Sequence, residues 1–116
     1  MNLRELQAEF LKIEGDGFRI IQNFADADGV MFLCPVCFEK NHGEVGTESM
    51  ICWQPHIPQT VNPAPGRWKF HGTSIDDLTF DNGKDEKGNT RASSVQVNGG
   101  CNAHYHVRNG QIEICK

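Results

Sequence analysis

Two residue pairs with the same spacing could do chemistry in this chain. Cys34 and Cys37 form a Cys-x-x-Cys pair, and Cys101 and His104 repeat that spacing directly after a double glycine at 99–100. Glycine permits the tight turn that lets two side chains point at one ion. Together the four side chains form a Cys3His set, which suits tetrahedral Zn²⁺. The sequence therefore predicts a zinc site made by both pairs.

Three other interpretations compete with zinc. A redox pair needs a helix after it, but Gly43 and Gly46 interrupt that helix within two turns. A disulfide framework is disfavoured by the odd number of cysteines, five, and by the lack of an export signal. The third interpretation makes Cys101 a small buried hydrophobe and His104 an ordinary strand residue.

His106 is the alternative fourth ligand. In a strand it lies on the same face as His104, while Tyr105 faces the other way. The two-residue spacing from Cys101 favours His104. The isolated cysteines in apolar strands are predicted to pack in the core, and these are Cys52 and Cys115. The histidines in polar loops are predicted to face solvent, and these are His42, His56 and His71.

Catalytic motifs give no match. The "HGE" at 42–44 follows the cysteine pair, whereas zinc deaminases have H-x-E before theirs, and H-E-x-x-H, G-x-S-x-G and P-loop patterns do not occur. We therefore predict no catalytic residue and a non-enzymatic protein-interaction module. The alternative is a metal-dependent hydrolase with an open zinc site and Glu39, Glu44 or His106 as its base.

Size and charge limit the partners. The 116 residues suffice for one compact domain, spanning 1–116. A net charge of -4 and a pI near 5.7, without any basic cluster, disfavour nucleic acid. No signal peptide or membrane span is visible, which predicts a cytoplasmic protein, in a bacterial host cell if the gene belongs to a phage. The predicted partner is another protein of unknown identity.

The N-terminal segment, 1–14, has the spacing of a helix. Its apolar positions recur three and four residues apart, and "EGDG" at 14–17 ends the pattern. These positions are Leu3, Leu6, Phe10 and Leu11. We predict one helix here.

The rest of the chain indicates short strands. Segments 18–24 and 29–34 flank the polar "ADAD" and are predicted to pair as a hairpin. Further strands are predicted at 49–53, 67–72, 78–80 and 93–97, and on both sides of Asn109-Gly110. Two connections stand out: a proline-rich loop at 54–66 and an exposed charged hairpin at 81–90. The fold class is mostly β (α+β), a small antiparallel β domain with one N-terminal helix, stapled by zinc.

Exposed aromatic residues would serve the binding role. The candidates are the proline-rich loop with Trp53 beside it, and Trp68 with Phe70. Tryptophan is enriched in the residues that dominate binding energy at protein interfaces.

The segments "RWKFHGTSIDDLTF" and "SSVQVNGGCNAHYHVRNGQIEIC" resemble a bacterial and phage family of small uncharacterised zinc-binding-like proteins. The matching positions are Cys34, Cys37, Trp68, Leu78, Thr79, Ser94, Cys101, His104, Tyr105 and Gly110. The family has a Pro-Ser pair where this chain has Ser93-Ser94. Its members occur in phage genomes and beside bacterial ubiquitin-like conjugation genes, so the resemblance implies a role in phage biology or defence.

Overall fold

The computed structural model describes residues 1–97 and 101–115. Antiparallel strands dominate it, which confirms the mostly β prediction. In chain order the strands are β1 Glu9–Glu14, β2 Gly17–Ile21, β3 Gly29–Leu33, β4 Ser49–Trp53, β5 Phe70–His71, β6 Thr79–Phe80, β7 Val95–Gln96, β8 His104–Arg108 and β9 Gln111–Ile114. A 3-10 turn spans Phe24–Asp26, and one short α-helix, α1, spans Pro35–Lys40 between β3 and β4.

The predicted helix at 1–14 is wrong. Residues 3–7 form a turn, Gln7 has a left-handed φ of 57°, and β1 follows. Leu3 and Leu6 are buried as expected, but Phe10 and Leu11 point to opposite faces of the sheet and join different apolar clusters. The helical spacing therefore arises from a buried turn followed by a strand that is apolar on both faces, which periodicity alone cannot distinguish from a helix.

The predicted hairpin between 18–24 and 29–34 is also wrong. The first sheet has the order β2-β1-β3-β4, so β1 lies between the two strands expected to pair. A two-residue turn at Gly15-Asp16 joins β1 to β2, and the other edge of β1 pairs with β3. The "EGDG" that was read as a helix stop is thus a hairpin turn.

The proline-rich segment 54–66 has neither strand nor helix and covers the outer face of this sheet. Ile57 packs there with Leu11 and Trp53. The Arg67 guanidinium fastens the segment by donating hydrogen bonds to five backbone carbonyls. Those carbonyls belong to Ile57, Pro58, Val61, Pro63 and Gly66. The loop is therefore held in one shape by a side chain just beyond its end.

The second half of the chain forms a two-stranded sheet, β5-β6, and a three-stranded sheet, β7-β8-β9. The predicted hairpin at Asn109-Gly110 is confirmed, because β8 and β9 pair across it. Both turn residues have a positive φ, 52° and 73°, as a type I′ turn requires. The segment 81–90 is mostly exposed and is closed by a bridge between Lys84 and Thr90.

Candidate metal centre

Three of the four predicted ligands lie together. The Sγ atoms of Cys34, Cys37 and Cys101 are all within 4.8 Å of one another, and those of Cys34 and Cys101 are 3.4 Å apart. Cys34 follows β3, Cys37 lies in the first turn of α1, and Cys101 precedes β8. The cluster therefore joins the N-terminal sheet to the C-terminal one.

The spacing of the sulfurs fits a metal ion. Zinc bonds to thiolate sulfur at about 2.3 Å, so two sulfurs of a tetrahedral site lie about 3.8 Å apart. The three sulfurs of the cluster lie near that separation. All five cysteines are free thiols, and 3.4 Å is well beyond a sulfur–sulfur bond. The donor set therefore fits a thiophilic ion such as zinc.

Backbone groups support the sulfurs. Burial raises the pKa of Cys34 to about 12, although N–H groups of Cys37 and Val36 donate to its sulfur and act in the opposite direction. Burial also raises the pKa of Cys37. For Cys101 burial is outweighed by hydrogen bonds from the other two cysteines and from the Ala103 N–H, and its pKa is lowered. Among the three thiols of the cluster, the pKa is lowered at Cys101 and raised at the other two.

His104 is not a member of this group in the described part of the chain. Its Nε2 lies 3.0 Å from Ser94 Oγ. Burial alternates along β8: Tyr105 and Val107 face the core, whereas His104 and His106 are half-buried on the opposite face. Tyr105 belongs to the same buried core cluster as Cys34. His104 as a zinc ligand stays a prediction, as does its alternative, His106.

The double glycine at 99–100, which was expected to make the turn into Cys101, lies outside the described residues. The positive φ of 49° at Asn102, just after Cys101, is the unusual backbone feature that the structure does show there. This residue lets the chain turn between the cluster and β8.

The remaining cysteines and histidines do not join the cluster. Cys52 is buried in the core as predicted, and burial raises its pKa, whereas Cys115 is half-buried. The three histidines predicted to face solvent are exposed, although His71 ends strand β5 and does not lie in a loop. His56 bonds to Asp28 Oδ1 at 2.9 Å, and His71 bonds to the Asp81 carbonyl at 3.0 Å.

A cavity of about 620 Å³ opens beside the cluster, and both Cys34 and Cys101 line it. Its other walls come from β4, from residues 63–66 of the proline-rich loop, and from Trp68 and the segment 94–97. A hydrogen-bonded chain forms one side, because the Trp68 indole N–H donates to the Ser94 carbonyl and Ser94 Oγ contacts His104. The volume is in the usual range for a small-molecule site.

Glu48 is an acidic residue beside the cluster, and no motif in the sequence predicts its position there. It lines the cavity, its carbonyl accepts a 2.8 Å hydrogen bond from the Cys34 N–H, and its charge contributes to the raised pKa of Cys37. The pairing of β3 with β4 sets Leu33 opposite Ser49 and so brings Glu48 beside Cys34. Prediction of that strand pair would have identified Glu48 instead of Glu39 or Glu44.

Comparison with known proteins gives no match among family models, curated proteins or solved structures. None of the helices in the described residues has the length and apolar character needed to cross a membrane.

Proposed function

We propose that this chain is a zinc-stabilised β domain that acts without catalysis by binding another protein. The cysteine cluster is the observation that supports this most directly. It connects residues far apart in sequence and belongs to two different sheets. A metal held there would contribute its binding free energy to folding, because the unfolded chain has no preformed site.

Zinc is the ion that suits this donor set. Soft thiolates select zinc, copper(I) and iron–sulfur centres, and zinc needs no redox partner. Three thiolates more than neutralise the charge of Zn²⁺, which weakens its ability to acidify a bound water. That electrostatic balance favours a structural role over a hydrolytic one.

The binding surface that we propose is the outer edge of β2. In the described part of the chain this edge pairs with no strand, and Phe18 and Ile20 beside it are 44% and 52% exposed. The aromatic residues suggested by the sequence are less accessible: Trp53 is 1% exposed and Phe70 is buried. Exposed strand edges with apolar side chains are sites where extended segments of partners add to a sheet.

Charge argues that the partner is not a second copy. A symmetric antiparallel pairing centred on this strand would set two Arg19 side chains opposite each other, and like charges directly opposite are destabilising. Arg19 instead pairs with Glu14 within the chain at 2.7 Å. A partner strand with an acidic residue between two apolar residues fits this edge best.

One observation favours the hydrolase as a second candidate. The cluster has three cysteines, the cavity reaches two of them, and Glu48 on its wall could act as a base. Hydrolysis of a chromogenic ester by the zinc-loaded protein, abolished in Glu48→Gln at unchanged zinc content, would support that role. A protein with no such activity supports the non-enzymatic proposal.

An accessory role in a phage or its bacterial host is also proposed, and it is supported by the family resemblance of the C-terminal half. The cytoplasm of that cell is the compartment we propose, since free thiols persist in a reducing environment.

Photo-crosslinking tests the interaction with variants that leave the cluster intact. The zinc-loaded protein with Phe18→Ser and Ile20→Ser should lose its main cross-linked partner in an extract of the native host. Val45→Ser is the matched control, because Val45 is 85% exposed and belongs to the segment between α1 and β4. Equal cross-linking by all three proteins would refute this binding surface.

A further inference from the structure

The cavity beside the cluster gives access to a position that the cysteines leave open. In the described residues the group that could hold a metal contains three side chains, whereas tetrahedral zinc takes four ligands. The fourth donor must therefore come from a rearranged side chain or from another molecule. The two cysteines that line the cavity face the space from which another molecule would enter.

We propose that the cavity binds a small molecule that carries a thiol on an apolar body, and that its sulfur completes the metal site. This inference rests on the proposed zinc site. Fully thiolate-ligated zinc is a common structural arrangement, so a fourth sulfur matches the three already present. Binding requires the thiol to lose its proton to the solvent, and no oxidant or reductant takes part.

The walls of the cavity match the apolar body of such a ligand. The lining includes Met50 and Ile51 of β4, the prolines at 63 and 65, and Trp68. Flat rings and prolines bury large apolar areas at little conformational cost. Among the described residues that line the cavity, Glu48 is the one with a charged side chain. An uncharged aromatic or aliphatic group therefore fits better than a phosphate or a sugar.

Two side chains of the protein could occupy the fourth ligand position of the metal in place of a bound thiol. Glu48 is near Cys37, and His104 is one contact removed from the cavity through Ser94. Either could close the site if it moved. Variants of both residues therefore belong in the test.

Cobalt(II) in place of zinc gives a direct optical readout, because its visible spectrum changes when a donor is added or exchanged. We expect benzyl mercaptan to change the spectrum of the cobalt-loaded wild-type protein with saturation at one molecule per chain. Benzyl alcohol, which has the same body without the sulfur, should cause no change. His104→Ala and Glu48→Gln should respond as the wild type does.

Ala64→Trp tests whether the ligand enters through the cavity. Ala64 lines the cavity and is exposed, so the larger side chain should fill the space without disturbing the core. We expect metal content to be unchanged and the apparent affinity for benzyl mercaptan to fall at least about tenfold. Val45→Trp, at an exposed position outside the cavity, is the matched control.

The outcomes distinguish the proposed thiol ligand from the proposed metal site. A wild-type protein that holds cobalt but ignores the thiol overturns the inference and leaves the metal site standing. A response gained only in His104→Ala or Glu48→Gln overturns it too, and identifies the side chain that closes the site. An undiminished response in Ala64→Trp shows that the thiol does not use this cavity. A protein that holds no metal removes both proposals together.

Discussion

The two turns of the candidate metal centre have the same residue spacing but contribute different numbers of side chains to the cysteine cluster. In the first, Cys34 precedes α1 and Cys37 lies within its first turn, so both sulfurs join the cluster. In the second, Cys101 joins the cluster, but β8 begins at His104, whose ring contacts Ser94. The spacing alone does not bring two side chains together. Whether they meet depends on the backbone conformation of the residues between them.

The backbone of the two turns differs at their second residue. Pro35 starts a helix, where its fixed φ is suitable. The equivalent residue, Asn102, has a φ of 49°, in the left-handed region that proline cannot adopt. The helical turn brings Cys37 next to Cys34, whereas the left-handed residue leads into an extended strand that begins at His104.

Removal of a cysteine from either turn should have the largest effect. Cys34→Ser and Cys101→Ser should each lose the metal and unfold the protein, because structural zinc contributes on the order of 10 kcal/mol to folding. Zinc content and thermal unfolding measure this. Cys52→Ser is the control: it should keep its zinc and cost about 1–3 kcal/mol for a hydroxyl in the core. Equal loss of zinc from all three variants would show that the cluster is not the metal site.

The cysteines of the two turns also differ in protonation, which predicts a steep pH dependence. The raised pKa values of Cys34, about 12, and of Cys37 keep both thiols protonated at neutral pH, whereas the pKa of Cys101 is lowered. Zinc binds thiolates and must displace those protons, so affinity rises with pH. We expect at least about a hundredfold gain per pH unit between pH 6 and 7, because at least the protons of Cys34 and Cys37 are released on binding. Competition with a chelator measures it, and a flat profile would argue against thiolate ligands.

Asn102→Pro places in the second turn the residue that the first turn has at the equivalent position, and it should disrupt the second turn. Proline cannot reach the φ of Asn102, so we expect a loss of about 2–3 kcal/mol in the free energy of unfolding. Asn102→Gly, which tolerates this φ, should lose less than the proline variant. Denaturant unfolding of the zinc-loaded proteins compares them. If the proline variant were as stable as the glycine variant, the two turns would not differ as described.

His104→Ala should have the smallest effect. Its Nε2 contacts Ser94 and its ring does not belong to the cysteine group, so the variant should keep its zinc and lose about 1 kcal/mol with the hydrogen bond to Ser94. Ser94→Ala removes the same bond from the other side and should match it. Loss of zinc in His104→Ala alone would confirm the ligand predicted from the spacing.

The sequence predicts the β content and the three cysteines because both depend on local signals. The Asn109-Gly110 turn determines its own hairpin, and Cys34-x-x-Cys37 needs only one helical turn. Cys101 is predicted because it begins a second pair of soft ligands with the same spacing. His104, predicted from the same spacing, begins β8 and stays a prediction as the fourth ligand.

The wrong predictions concern segments whose structure depends on tertiary contacts. The residues at 1–14 are apolar on two faces because a loop far along the chain, with Ile57, covers the outer face of β1. The pairing of β1 with both β2 and β3 depends on the short turn at Gly15-Asp16. Glu48 reaches the cluster through the register of β3 and β4. The Gly-Asp turn is a local hairpin signal that the helical spacing before it outweighed. The cover over β1 and the position of Glu48 have no signature within a short stretch of sequence.

X-ray absorption at the zinc edge, combined with elemental analysis of protein purified without chelators, tests the central claim most directly. The account predicts about one zinc per chain, with at least three sulfur neighbours at about 2.3 Å. A folded protein that is reproducibly free of metal, or a zinc ion with only oxygen and nitrogen neighbours, would contradict it.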